Sequence, residues 1–155
     1  MGNIYVISDL HFCHENLAKH RGFIDSKQHD EFIIDSWNAV VTKGDTVWLL
    51  GDITMEKSKG YGLLDSLKGY KKVVLGNHDK PQHVKELLEH VNLVCGSFKY
   101  KDLILTHFPI HPQEFRKFRI NAHGHVHQNT IPDDDRYVNV SAEAINYTPI
   151  LLNNL

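Results

Sequence analysis

Short apolar runs alternate with stretches of helical spacing through the first half of the chain. Ile4–Ser8 (IYVIS) is short and rich in β-branched and aromatic residues, which predicts a buried strand. Thr46–Leu50 (TVWLL) and Lys72–Leu75 (KVVL) repeat that pattern. Between them, Asp30–Val41 sets Ile33, Trp37, Val40 and Val41 at helical spacing, and Gly44 follows as a stop. Leu63, Leu64 and Leu67 predict a short helix closed by Gly69. Pro81–Val91 predicts another, with Pro81 in its first turn and Val84, Leu87, Leu88 and Val91 on one face.

The second half reads mostly as strands. Leu93–Gly96, Phe98–Tyr100 and Leu103–Thr106 come first, with Lys101-Asp102 as a tight turn. Ile120–Ala122, Tyr137–Val140 and Pro149–Leu152 follow. Strand–helix alternation followed by strands predicts two packed sheets flanked by helices, in the α/β or α+β range.

Length and composition narrow the picture. The chain has 155 residues, 41% apolar and 23% charged, which excludes disorder and collagen-like repetition and predicts one domain over residues 1–155. The 17 basic and 19 acidic residues give a net charge of −2, which argues against a nucleic-acid coat or a polybasic membrane binder. Cys13 and Cys95 are too few and too distant for a disulfide framework. No apolar run approaches the roughly 18 residues of a membrane span, so no membrane partner is expected. The opening residues lack a positive n-region, so no secretory signal is expected and the reading is cytoplasmic. Histidine is the exception: 12 residues, which makes metal ligation the first chemistry to test.

The polar residues fall at strand ends. Ile4–Ser8 runs into Asp9-Leu10-His11, Thr46–Leu50 into Gly51-Asp52, and Lys72–Leu75 into Gly76-Asn77-His78-Asp79. Leu103–Thr106 runs into His107, and Ile120–Ala122 into His123-Gly124-His125-Val126-His127. Taken singly, an Asp after a strand is usually a turn or cap residue, and a single His is usually a packed one. His125 and His127 make a stronger pair, because alternate residues of an extended chain face one side. Ligands of open α/β sheets bind beyond the carboxyl ends of strands, so five such ends can supply one site. Two aspartates, one asparagine and four histidines exceed one tetrahedral ion and suit two ions sharing a carboxylate.

Asp9-x-His11, Gly51-Asp52, Gly76-Asn77-His78-Asp79, His107 and Gly124-His125-x-His127 stand in the order of a known motif set. With them the chain resembles the calcineurin-like metallophosphoesterase superfamily. SDLHFCHEN, LLGDI, VLGNHD, LTHFP, NAHGHVH and NVSAEAINYTPI bring it closest to that superfamily's small single-domain bacterial and phage phosphoesterases. Cys13 departs from the glycine of that subgroup.

The resemblance implies a sandwich of two mixed sheets with helices outside. It implies that Asp9, His11 and His127 hold a first divalent ion and that Asn77, His107 and His125 hold a second. Asp52 would bridge the two. His78 would be the catalytic general acid, with Asp79 orienting its ring. A hydroxide bridging the ions would attack phosphorus in line. Manganese is the first expectation for the metal pair, and iron, zinc and nickel suit the same mixed N/O donors.

The same resemblance separates substrates. Ser/Thr protein phosphatases of the superfamily carry Gly-Asp-x-Val-Asp-Arg-Gly and Gly-Asn-His-Glu. Here Ile53-Thr54-Met55-Glu56 follows Asp52 and the third block ends in Asp79. The expectation is therefore a phosphodiesterase or phosphatase acting on a small or nucleotide-type phosphoester. A nuclease and a non-catalytic scaffold on the same fold are the alternatives. Phe115-Arg116-Lys117-Phe118-Arg119 bears on the nuclease reading, either as phosphate and base contacts near the metals or as a solvated loop. The retained His78 and seven retained ligands argue against a scaffold. His14 is a candidate to line the site, and His111 and His123 flank ligands. His20, His29, His83 and His90 read as surface residues.

Overall fold

The computed structural model describes residues 2–55 and 58–155. Met1, Glu56 and Lys57 lie outside the described residues, Glu56 of the stretch after Asp52 among them. The chain runs β1 (Ile4–Ile7), α1 (Glu15–His20), α2 (Ser26–Val40), β2 (Thr46–Leu49), β3 (Tyr70–Val74), α3 (Val84–Leu87), β4 (Leu93–Cys95), β5 (Phe98–Tyr100), β6 (Leu103–Thr106), β7 (Ile120–His123), β8 (Tyr137–Asn139) and β9 (Ile150–Leu151). These strands form a sandwich of two mixed sheets, as expected. One sheet has the order β4-β3-β2-β1-β9 and the other β5-β6-β7-β8. β1 to β4 are parallel and β9 is antiparallel to β1. β6, β7 and β8 are parallel, with β5 antiparallel at the edge.

The apolar runs of β1 and β2, and of the second half of β3 (Val73 and Val74), reflect burial on both faces, which parallel sheets require. Tyr5, Ile7, Val47, Leu49 and Val73 face the helical side, against Ile33, Trp37 and Val41 of the α2 segment and Leu87 of α3. Val6, Trp48, Leu50 and Val74 face the second sheet, against Leu103, Leu105, Ile120 and Ala122. Each fully buried aliphatic side chain in these two layers contributes about 1.5–3 kcal/mol. Trp37 is wholly buried and its indole N–H donates to the Lys68 carbonyl at 2.9 Å, which ties α2 to the chain entering β3.

Two helical expectations take a tighter form. The short helix expected at Leu63, Leu64 and Leu67 is a 3-10 helix, Ser58–Ser66, with Leu67 just after it. Pro81–Val91 forms a 3-10 turn, Pro81–His83, and one short turn of α-helix, α3. In both, a few leucines cap the sheet without the length that sustains an α-helix. α1 had no strong apolar period to announce it. It starts at His14, whose Nδ1 accepts the Leu17 N–H at 3.3 Å, and it buries Ala18.

Candidate dinuclear metal site

The parallel strands deliver their carboxyl ends to one edge of the sandwich. Backbone bonds stitch the segments beyond them together. Asp9 N donates to Gly51 O (3.0 Å), His11 N to Asp52 O (3.0 Å), and Gly124 N to His107 O (3.0 Å). Two motif glycines are needed for the close approach. A Cβ at Gly76 would run into the Asp52 carboxylate and backbone nitrogen. One at Gly124 would run into Ser8 Oγ and Asp9 Oδ2.

The donors form two triads. Asp9, His11 and His127 make one, and Asp52, His107 and His125 the other, each with its donor atoms within 4.8 Å of one another. Asp52 Oδ2 stands between them, 3.7 Å from His11 Nε2 and 3.4 Å from His107 Nε2. Asn77 Oδ1 completes the second group, 2.9 Å from His107 Nε2 and 3.0 Å from His125 Nδ1. Ion–donor bonds of about 2.0–2.2 Å place neighbouring donors about 3.0–3.5 Å apart, close to these spacings. Asp9 Oδ1 and His11 Nε2 face each other at 3.7 Å, both buried and without a hydrogen-bond partner. Unsatisfied buried polar atoms are costly, and a cation between these two would satisfy both. The residues therefore fit a pair of divalent ions.

Five of these ligands adopt left-handed backbone: Asp9 (φ 59°), His11 (49°), Asp52 (53°), His125 (70°) and His127 (52°). Such conformations cost on the order of 1–3 kcal/mol each and persist where the surroundings over-determine them. Cys13 shares the geometry (φ 61°), which accounts for the glycine expected there.

Several side chains hold the ligands. His107 Nδ1 donates to Leu50 O at 2.7 Å, which turns Nε2 into the site. Asp9 Oδ2 accepts from His125 N at 2.9 Å and Ser141 Oγ at 3.2 Å. Asp79 is tied to the backbone around the site. Its carboxylate accepts from the backbone amides of Asp52 (2.7 Å), Gly76 (2.8 Å) and Ile53 (3.2 Å), so it braces the Asp52 loop. His78 N donates to Asp52 Oδ1 at 2.9 Å, and its half-buried ring lies 5.7 Å from that of His11.

The charges are mutually supporting. Burial would raise the Asp9 carboxyl, but the neighbouring His11 and Ser8 and the charge of His107 outweigh it and hold the group well below the carboxylate range. Asp52 is likewise lowered, with burial overcome by His107. His107 is raised because Asp52 outweighs the burial that would lower it. His127 is raised by its hydrogen bond to Glu143. Those two raised imidazoles stabilise the metal-free fold fully below their unfolded value near 6.5, and the contribution is lost as pH rises through the folded pKa. Divalent ions need the rings neutral, so they compete with these protons. Saturating manganese is therefore expected to raise the melting temperature more at pH 8 than at pH 6. The difference approaches about 1.4 kcal/mol per pH unit for each proton displaced. Differential scanning fluorimetry across pH checks this, and an equal or larger metal shift at pH 6 would contradict it.

The remaining sequence expectations divide. His14 lies beside His11, ring centroids 6.1 Å apart, at the rim of the site. His123 is buried against the Gly124 carbonyl, while His111 is exposed and caps a 3-10 turn. His29 is not a surface residue: it is wholly buried, between Arg21 and Asp30. Arg119 lies away from the two donor triads. It precedes β7 and pairs with Asp102, which precedes the parallel β6, at the opposite end of those strands from His107 and His125. Lys117 is engaged by Glu114, and Phe115 packs on Tyr137. Sequence reasoning gave no role to Arg21, Ser141 and Glu143, although Ser141 and Glu143 lie within the NVSAEAINYTPI stretch that carries part of the resemblance.

No protein-family model matches the chain. The Gene 66 protein of Mycobacterium phage L5 is 32% identical over 166 residues, covering 84% of this chain and 80% of its own length. An uncharacterized protein of Methanocaldococcus jannaschii is 32% identical over 163 residues, covering 98% of this chain and 88% of its own. The crystal structure of a protein of unknown function from Aquifex aeolicus superposes with a TM-score of 0.78 at 27% identity, over 99% of this chain and 97% of that one. At that identity and coverage, the chain belongs to the family of the phage L5 Gene 66 protein and its Methanocaldococcus relative.

Proposed function

We propose that the protein is a dinuclear-metal-dependent phosphoester hydrolase of the calcineurin-like type, a single domain acting in the cytoplasm. Its substrate would be a phosphodiester or monoester of small or nucleotide type. The observation that carries this is the placement of Asp52 Oδ2, 3.7 Å from His11 Nε2 of one triad and 3.4 Å from His107 Nε2 of the other. A lone structural ion would not need a second triad or a shared carboxylate.

Asp9, His11 and His127 would hold one ion, and Asn77, His107 and His125 the other, with Asp52 common to both. When bound, such ions neutralise the phosphoryl oxygens and lower the pKa of a water to supply the nucleophile. His78 protonates the departing ester oxygen. Its backbone N–H, donated to Asp52 Oδ1, ties the chain at His78 to the shared carboxylate. Asp79, by gripping three amides of the Gly76 and Asp52 segments, keeps the two loops from parting. A cleft of about 280 Å³ lies beside the His127 triad, lined by Leu17, His20, His127, Gln128, Asn129 and Glu143, with room for a small ester substituent. The engagement of Arg119 by Asp102 favours a small substrate over a nucleic acid.

The test is hydrolysis of a chromogenic phosphodiester and a panel of monoesters by purified protein loaded with manganese, iron, zinc or nickel. Turnover that requires metal and stops with chelator is expected. No hydrolysis with any of these metals would overturn the enzyme reading in favour of a scaffold.

A further inference from the structure

We propose that Arg21 and Glu143 are positioning residues that set the affinity of the first metal position, selectively over the second. The inference rests on the dinuclear reading above. Arg21 and Glu143 form an ion pair at 2.9 Å, with side chains 1% and 5% exposed. Removing two charges from water costs several kcal/mol per ion, so a buried pair is weak evidence of stabilisation and calls for another reason to exist.

The geometry supplies one. Glu143 Oε1 accepts from His127 Nδ1 at 2.8 Å, which fixes the proton on Nδ1 and leaves Nε2 bare for an ion. Arg21 donates to the backbone carbonyl of Asp9 at 2.8 Å and to that of Leu10 at 3.1 Å. Those bonds pin the left-handed backbone of Asp9 and the link to His11. All three first-position ligands are thus held from one buried pair.

The assembly extends in a determined order. Arg21 has only donors, so His29 Nε2, 2.8 Å away, must accept. His29 Nδ1 then carries the proton and donates to Asp30 Oδ1 at 2.7 Å. Asp30 Oδ2 accepts from the backbone N–H of Cys13 at 2.9 Å. The chain Asp30–His29–Arg21–Glu143–His127 therefore grips the loop of Asp9 to Cys13 at both ends. At the second position, His107 Nδ1 meets the neutral carbonyl of Leu50 instead. An ionised acceptor makes the opposite ring nitrogen a better donor than a neutral one does, so the two positions differ.

Isothermal titration of the metal-free protein with manganese tests this. The wild type is expected to take up two ions. Glu143→Ala and the near-isosteric Glu143→Gln are expected to weaken one of them by about 10–100-fold and leave the other within twofold. Arg21→Met is expected to act at the same ion. Adding Glu143→Gln to His127→Ala, which already removes one of the three ligands that the pair holds, should weaken binding by less than Glu143→Gln does alone. Equal weakening of both ions, or a lower melting temperature with both affinities intact, would overturn the positioning role. Uptake of fewer than two ions by the wild type would overturn the dinuclear reading itself, and the selective role with it.

Discussion

Asp52→Asn is expected to be the most damaging single substitution at the site. Hydrolysis should fall by more than the roughly 10²–10⁴-fold that loss of a general acid costs. Asparagine keeps the shape, so Oδ1 can still accept the His78 N–H, seen here at 2.9 Å. What disappears is the negative charge that stands between His11 Nε2 and His107 Nε2. On the proposed reading one carboxylate would serve both ions, so its loss would weaken each of them, whereas any other ligand would serve one. The variant should also lose the raised affinity of His107 for its proton, because Asp52 is what offsets burial there. Metal analysis after gel filtration, beside hydrolysis rates and a melting curve, separates loss of ions from loss of fold. Two ions held at wild-type affinity would refute the shared role.

His78→Ala should leave both ions bound and lower kcat by about 10²–10⁴-fold, with KM little changed. The His78 side chain is absent from both metal triads, and the ring's neighbour at 5.7 Å is the His11 imidazole. Leaving-group chemistry supplies the sharper readout. A p-nitrophenolate departs without a proton, so its diester should lose least. An alkyl or nucleoside alkoxide needs the proton, so its ester should lose most. A loss that is the same for both leaving groups would move His78 from proton donor to electrostatic stabiliser. Full activity on both would remove it from the chemistry.

Much of this molecule was legible in local pattern. The central strands β1 and β2 of the first sheet read as nearly continuous apolar runs because both faces are covered. Each ran into its polar residues without a break, and the order of those residues carried the resemblance. All seven expected ligands lie in the two triads or, for Asn77, against the second. Elsewhere local pattern misled. His29 looked like a helical surface residue, since a polar side chain is read as solvated unless its partner is known. Its partner, Arg21, faces it across the α1–α2 pair. The basic stretch at 115–119 was placed near the metals by its sequence position between His107 and His125. Parallel pairing of β6 with β7 instead carries the chain back to the far end before β7 begins.

By itself, then, the sequence determined the strand segments, the kind of donor at each strand end and the chemistry such donors suit. These depend on side-chain period and residue type, which are local properties. Tertiary structure decided what depends on distance in space. β9 crosses from the end of the chain to pair with β1, with Val6 opposite Ile150. The isolated bridge between Ser8 and Ser141 joins the two sheets beside the site. Those two links bring Ser141 to Asp9 and set Glu143 between Arg21 and His127. No period or spacing encodes a contact across more than a hundred residues. It arises because an unpaired sheet edge and a buried guanidinium each require a partner, and the folded chain offers these.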